Sequence, residues 1–206
     1  GWNALSASAW KQGRSPFKKL ADGEVQFSPL LQVTENFGLG LTPRFNDQGE
    51  VSAQQLPLIA HGKLATLLVN ARTAKEFGLT ANGANDGESP RALDVAPGTL
   101  LEADVLRALG TGLYVSNLHY LNWSDPVSAR VTGMTRYACF WVENGEIVGP
   151  IQDMRWDESL FDALGPKLIA LTAHTAIDPA VDTYFQRALG GSRTPGALID
   201  QFTFTL

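Results

Sequence analysis

Short runs of β-forming residues, separated by glycine, proline and small polar residues, recur along the chain, and this pattern predicts short strands more often than helices. The most regular run is Arg136–Glu143 (RYACFWVE), which is rich in β-forming residues. The next two residues, Asn144 and Gly145, are typical of a type I′ turn, in which both central residues need positive φ. The return strand is predicted over Glu146–Ile151, so this part of the chain forms a hairpin.

Other segments give the same strand signal less regularly. Strands are predicted over Gln26–Phe37, Arg91–Ala96, Gly112–Leu118 and Gly196–Leu206, and a second hairpin over Gln55–Val69 with its turn at His61-Gly62. Lys167–Thr172 is apolar and fits either a strand or a helix.

Helices are predicted where a capping residue precedes an apolar run and a glycine follows it. Asn70 caps a helix that ends before Gly78, because asparagine favours the N-cap and glycine the left-handed C-terminal position. Further helices are expected over Glu102–Leu109, Asp157–Leu164 and, more weakly, Asp178–Leu189. Strands and helices do not alternate regularly, so we predict an α+β fold with mainly antiparallel or mixed sheets and three or four short helices.

The domain organisation is predicted from composition. Residues 1–25 are polar and mixed, and we interpret them as an N-terminal strap or linker, with one domain over residues 26–206. Leu79–Pro90 is dense in glycine and small polar residues, which predicts a loop and a candidate mobile element. The first residue is Gly1 rather than methionine, so we expect the chain to be a fragment of a longer protein.

Charge and cysteine content exclude several classes of protein. The formal net charge is −5 and the 16 basic residues are scattered, whereas nucleic-acid binding needs a concentrated basic surface. Cys139 is the single cysteine, so no intramolecular disulfide forms and the cytoplasm is the expected compartment. No apolar run approaches the roughly 20 residues of a membrane helix. We therefore expect neither nucleic-acid nor membrane partners.

The usual signatures of catalysis do not occur in the sequence. His61, His119 and His174 are each more than fifty residues apart, so no pair has metal-ligand spacing. Cys139 follows the apolar pattern of its strand and is interpreted as a packed core residue. The glycine-rich stretch Gly190–Arg193 is either an anion cradle or, as we favour, a plain turn. We assign no catalytic residue and no metal ligand to this chain.

Four motifs in a fixed order nevertheless resemble one protein family. They are Gly112–Val115 (GLYV), Val131–Arg136 (VTGMTR), Phe140–Ile151 (FWVENGEIVGPI) and Arg155–Leu160 (RWDESL). Together with the segments that flank them they resemble the C-terminal domain of the TldD/PmbA family, whose older name is modulator of DNA gyrase. The resemblance covers residues 26–206 and implies a two-domain protein of about twice this length.

The resemblance implies zinc peptidase chemistry, but not in this half. In the active TldD type an H-E-x-x-x-H helix of the N-terminal half binds zinc, which activates water with the glutamate as general base. A cysteine in a glycine-rich loop near the C-terminus supplies a third ligand. The matching segment here, Gly190–Gly196, contains no cysteine. This departure favours the non-catalytic TldE/PmbA type, which pairs with a TldD-like subunit or forms a homo-oligomer. The alternative is a non-enzymatic protein-binding module of the gyrase-modulator type.

Under this resemblance the candidate substrate-lining residues lie in a predicted loop. His119, Tyr120, Asn122 and Trp123 belong to the stretch LHYLNWSD, where aromatic and polar side chains converge, and Arg136 follows the second motif. We expect them to line a chamber for a peptide substrate, which can pair with an exposed sheet edge. The competing interpretation places the aromatic side chains in the core and Arg136 in a structural ion pair.

Overall fold

Strands form most of the regular structure of the chain. They account for 39% of its residues and helices for 16%, which confirms the α+β class. The computed structural model describes residues 3–181, 183 and 187–205. No helix in these ranges is long and apolar enough to cross a membrane.

The elements are short and follow one another closely. The helices are α1 (Ala7–Lys11), α2 (Lys18–Ala21), α3 (Ala71–Phe77), α4 (Val105–Leu109) and α5 (Leu160–Ala163). The strands are β1 (Val33–Asn36), β2 (Gln55–Ala60), β3 (Lys63–Leu64), β4 (Ala92–Val95), β5 (Gly112–Val115), β6 (Leu118–Asp125), β7 (Arg130–Thr135), β8 (Cys139–Glu143), β9 (Glu146–Pro150), β10 (Arg155–Ser159), β11 (Leu168–Pro179), β12 (Gly191–Ile199) and β13 (Phe204–Thr205). Single 3-10 turns occur at Phe37–Leu39 and Glu102–Asp104.

These elements form three sheets and two compact units. The sheet orders are β11-β12-β4-β1-β2-β3, β13-β10-β7-β6 and β5-β8-β9. The first unit comprises Gly1–Ala96 and Thr175–Pro195, and the second comprises Pro97–His174 and Gly196–Leu206. The β12–β4 pair is parallel and the other pairs with a described register are antiparallel, so the sheets are mixed and mainly antiparallel as predicted.

Residues 3–25 pack into the first unit. Ser6 caps α1 by accepting a hydrogen bond from the Ala9 N–H, and the helix buries Ala7 and Ala9. In α2 the side chain of Leu20 is buried. Apolar side chains therefore fix this polar-looking segment, and their helical spacing is too brief to stand out in the sequence.

A buried carboxylate links this segment to the rest of the unit. The Oε2 atom of Glu88 accepts hydrogen bonds from the Ser6 hydroxyl at 2.6 Å and the Ser8 N–H at 2.8 Å, and Oε1 accepts one from the Asn70 N–H at 3.0 Å. Glu88 is 1% exposed and lies in the predicted loop Leu79–Pro90. A loop that was expected to be mobile thus carries one of the most buried side chains in the chain.

The cap and turn signals are confirmed in detail. The Asn70 side chain accepts a hydrogen bond from the Thr73 N–H, and Gly78 ends α3 with φ of 66°. Asn144 and Gly145 have φ of 52° and 82°, and they join β8 to β9. These local signals were reliable because each depends on one or two residues.

Several predictions fail in the folded structure. The predicted strand over Gly196–Leu206 is interrupted by a turn, because β12 ends at Ile199 and β13 covers only Phe204–Thr205. The stretch Leu118–Asp125 is strand β6 rather than a loop, since β7 supplies it with an antiparallel partner. Asp157–Ser159 ends strand β10 rather than beginning a helix, and only Leu160–Ala163 is helical. The predicted helix over Asp178–Leu189 lies partly outside the described residues; its first two residues end β11.

Candidate functional site

A β-bulge in strand β6 determines the shape of the candidate site. In the β6–β7 register His119 faces Met134 and Asn122 faces Thr132, so two residues of β6 oppose Gly133 alone. One of the two, Tyr120, has φ of 52° and is 68% exposed. A left-handed conformation costs a non-glycine residue roughly 1–2 kcal/mol, and bulges commonly re-aim side chains at binding sites.

Three of the predicted substrate-lining residues meet at this bulge. The ring centroids of His119 and Tyr120 are 4.5 Å apart. The guanidinium carbon of Arg136 lies 5.4 Å from the centroid of the Tyr120 ring, within the range of a cation–π contact. A tyrosine flanked by histidine and arginine presents both an apolar face and hydrogen-bond donors, which is typical of protein-binding surfaces.

The other two predicted residues do not join this cluster. Trp123 is opposite Val131, a residue on the buried side of the sheet, and is therefore on the core-facing side of β6. Asn122 faces Thr132 on the opposite side, where its Oδ1 accepts a hydrogen bond from the Trp123 N–H at 2.9 Å. The alternation of side chains along the strand separates residues that are adjacent in sequence.

Charged groups stabilise the solvated side of the same sheet. The Arg130 Nε donates to the Asp157 Oδ1 at 2.7 Å across β7 and β10. A hydrogen bond from Ser124, together with Arg130, lowers the pKa of Asp157 below its ordinary value. This partly exposed pair is a structural contact between strands and leaves Arg136 as a separate cation at the bulge.

The Gly190–Gly196 segment, which the resemblance matched to a ligand loop, is mostly strand. Arg193 in β12 forms a bidentate ion pair with Asp94 in β4, with two N–O distances of 2.8 Å. Asn36 donates a third hydrogen bond to Asp94, also at 2.8 Å. Burial by itself would raise the pKa of Asp94, but the bonds from Arg193 and Asn36 outweigh it and lower that pKa.

These residues do not fit a zinc site. A guanidinium repels a divalent cation, and the carboxylate beside it is already saturated with donors. In the described ranges no three histidine, cysteine, aspartate or glutamate side chains lie close enough to hold a metal ion. Cys139 is buried in β8, where its thiol contacts the Arg136 carbonyl oxygen at 3.3 Å.

The second unit also contains a cavity that the sequence did not point to. Its volume is about 530 Å³, and its walls come from α4, β5, the end of β12 and the segment before β13. Two aromatic residues near the end of the chain, Phe202 and Phe204, are half-buried and form part of its wall, and Phe204 lies in β13. Their ring centroids are 5.2 Å apart.

The comparisons with known proteins agree with this fold. The sequence model of the PmbA/TldA metallopeptidase C-terminal domain matches residues 1–206. The metalloprotease PmbA of Escherichia coli O157:H7 is 33% identical over 118 residues, which are 57% of this chain and 24% of that protein. The fold is therefore that of a metallopeptidase C-terminal domain. The chain belongs to the TldD/PmbA family.

Solved structures show the same architecture at low sequence identity. TldE from Thermococcus kodakarensis superposes with a TM-score of 0.80 at 15% identity, covering 100% of this chain and 46% of that protein. A protein described as a modulator of a DNA gyrase from Thermotoga maritima gives a TM-score of 0.73 at 21% identity, covering 96% and 44%. The chain thus spans less than half the length of each of these relatives.

Proposed function

We propose that this chain is the zinc-free, C-terminal half of a TldD/PmbA-type peptidase system that acts in peptide proteolysis or maturation. In this proposal the protein is of the TldE/PmbA type. It holds peptide, and a TldD-type subunit supplies the zinc. Support comes from the family match and from the structural likeness to a protein named TldE.

The observation that carries the proposal is the Arg193–Asp94 ion pair. It lies in the segment where the resemblance expects a cysteine ligand, and it joins β12 to β4. With Asn36 as a further donor to Asp94, every strong polar group of the cluster has a partner. This segment is built to hold two strands together, so we assign it a structural role.

The peptide-holding role is assigned to the edge of β6. This strand is at the end of its sheet, and an edge strand can pair with an extended peptide through main-chain hydrogen bonds. His119, Tyr120 and Arg136 lie beside that edge. Such pairing tolerates many sequences, while Tyr120 and Arg136 supply side-chain contacts.

Zinc analysis of the longer protein tests the proposal that it is the non-catalytic TldE/PmbA type. We would purify the complete gene product without chelators, alone and with a TldD-type subunit, and measure bound zinc. We expect no zinc in the protein alone, and zinc with peptide cleavage in the mixture. Stoichiometric zinc in the protein alone contradicts the non-catalytic assignment. A mixture without zinc or cleavage supports the alternative, a protein-binding module.

Substitutions at the bulge test the peptide-holding role. Tyr120→Ala and Arg136→Ala are expected to raise the KM for peptide cleavage by the mixture about tenfold, the worth of one well-formed contact. Arg72→Ala, which removes an exposed arginine from α3, is the matched control and leaves KM unchanged. Equal KM values for all four proteins would refute the role of this cluster.

A further inference from the structure

The cavity of the second unit has apolar walls and little charge. Aliphatic and aromatic side chains form most of its lining, among them Leu109, Leu113, Val115, Leu198, Phe202 and Phe204. Asp200 is the one charged residue of the lining. With no basic group in the walls, an anionic ligand such as a phosphate or a fatty acid carboxylate has no counter-charge there. The cavity therefore suits an uncharged, apolar occupant.

Two walls of the cavity are strands with an unpaired side. Within the described part of the chain, β5 is the edge of its sheet and pairs with β8 alone. Strand β12 pairs with β4 only over Gly191–Arg193, so Ala197–Ile199 extend beyond that partner. Main-chain amides on the free side of a strand need hydrogen-bond partners, which a simple apolar compound cannot supply.

The volume matches a short piece of extended chain. Strands lie about 4.8 Å apart, sheets pack about 10 Å apart, and a strand rises about 3.3 Å per residue, so one residue occupies roughly 160 Å³. A cavity of about 530 Å³ accommodates about three such residues. A single side chain from a neighbouring surface would leave most of it empty.

We propose that this cavity binds an extended, apolar peptide segment of about three residues, which pairs with β5 and buries its aliphatic side chains against Leu113, Leu198 and Phe204. The inference rests on the proposed function, because it names the class of peptide that the protein holds. It assigns a second site, separate from the Tyr120 cluster, and gives that site a preference for β-branched and aliphatic residues.

Peptide binding by the 206-residue chain tests the inference without zinc or cleavage. The probe is a fluorescein-labelled hexapeptide of alternating valine and threonine, followed by fluorescence anisotropy. Two variants of the probe separate the contribution of apolar burial from that of main-chain pairing. In one variant serine replaces each valine, and in the other the main-chain nitrogens are methylated. We expect each change to weaken binding about tenfold or more, since one removes apolar burial and the other removes strand pairing. Equal binding of the methylated probe overturns the peptide assignment in favour of a general apolar pocket.

Variants of the chain locate the site. Ala197→Phe fills the cavity and is expected to abolish binding there, whereas Ala176→Phe places the same side chain on an exposed part of β11 outside the cavity and should keep both binding components. Should Ala197→Phe not fold, NMR titration of the unaltered chain replaces it, with shifts expected at Leu113–Val115 and Leu198. Shifts confined to the β9 edge, or a dimer in sedimentation that blocks the probe, overturn the inference.

Failure of this inference can be told apart from failure of the proposed function. The probe can also pair with the β6 edge, so the two binding components are measured separately. Tyr120→Ala should weaken only the component at the β6 edge, because the tyrosine is not part of the cavity lining. Loss of all probe binding in Tyr120→Ala means that the two sites are one, and the inference fails. Probe binding without any zinc in the longer protein and its mixtures leaves the cavity site standing and removes the peptidase role.

Discussion

Gly133 in β7 is directly opposite Trp156 in β10, and the indole occupies the space that a side chain at position 133 would need. A Cβ built on Gly133 lies 2.9 Å from two ring carbons of Trp156 and 2.9 Å from the His119 carbonyl oxygen. The two residues belong to separate motifs, VTGMTR and RWDESL. Their contact explains why those motifs need one another: a glycine in one strand makes room for a large ring in the next.

Gly133→Ala is predicted to destabilise the protein. Overpacking in a well-filled sheet costs about 1–3 kcal/mol, because neither the His119 carbonyl nor the buried indole can move freely. Urea unfolding followed by tryptophan fluorescence measures this as a lower midpoint. Gly149→Ala in β9 is the control, since a Cβ there meets no atom within 4 Å. Combination with Trp156→Phe should recover part of the loss, and additive losses would show that the contact is unimportant.

Glu35 is predicted to make stability fall as pH rises. It is buried in β1, where its Oε1 accepts hydrogen bonds from the Arg91 and Ala92 N–H groups, while its Oε2 has no hydrogen-bond partner among the residues that the structure describes. Burial raises the pKa of Glu35 above its usual value of 4.5, although the two N–H donors oppose this. The folded protein therefore holds a proton that the unfolded chain has lost.

The direction of this pH dependence of stability follows from the linkage between proton binding and folding. Between the unfolded pKa and the raised folded pKa the native state binds more protons, so the free energy of unfolding decreases by up to about 1.4 kcal/mol per pH unit. Urea titrations between pH 4 and pH 8 measure this slope, and Glu35→Gln should remove it. Glu24→Gln, on the surface, is the control. An unchanged slope in Glu35→Gln would falsify the assignment.

Glu88→Gln is predicted to loosen residues 3–25. The amide cannot accept all three hydrogen bonds that reach the carboxylate, so at least one buried N–H or O–H is left unpaired at a cost of about 1–3 kcal/mol. Hydrogen exchange should accelerate first in α1 and at the start of α3. Asp86→Asn in the same loop serves as the exposed comparison. Uniform acceleration over the whole chain would contradict a local role.

Arg193→Gln is predicted to weaken the junction between β12 and β4. The bidentate contact with Asp94 is partly exposed, so its loss should cost about 1–2 kcal/mol rather than the full value of a buried pair. Because Asp94 has a lowered pKa, the stabilisation is present above pH 3.8 and is lost as pH falls through the folded value. A double-mutant cycle with Asp94→Asn at pH 7 and at successively lower pH measures the coupling, which should shrink as the Asp94 carboxylate takes up its proton.

The sequence by itself determined the features that depend on a few neighbouring residues. The Asn70 cap, the Gly78 terminus and the Asn144-Gly145 turn each follow from the conformations that one or two side chains permit. The α+β class with mainly antiparallel sheets followed from the number of predicted strands and from the lack of a regular strand–helix order. The order of four motifs identified the family, because a set of spaced segments is specific even when each segment alone is not.

Tertiary structure decided how those segments meet. Strand β6 resembled a loop because its bulge interrupts the alternation, and only pairing with β7 separates Tyr120 from Trp123. Asp157 and Glu158 resembled a helix start, but pairing with β7 places them in strand β10, where Arg130 and Lys167 bind their carboxylates. The cavity between β5 and the end of β12 is built from segments that are far apart in the sequence. Contacts between residues far apart in sequence create these features, and no local pattern encodes which distant partner a strand or a charge will find.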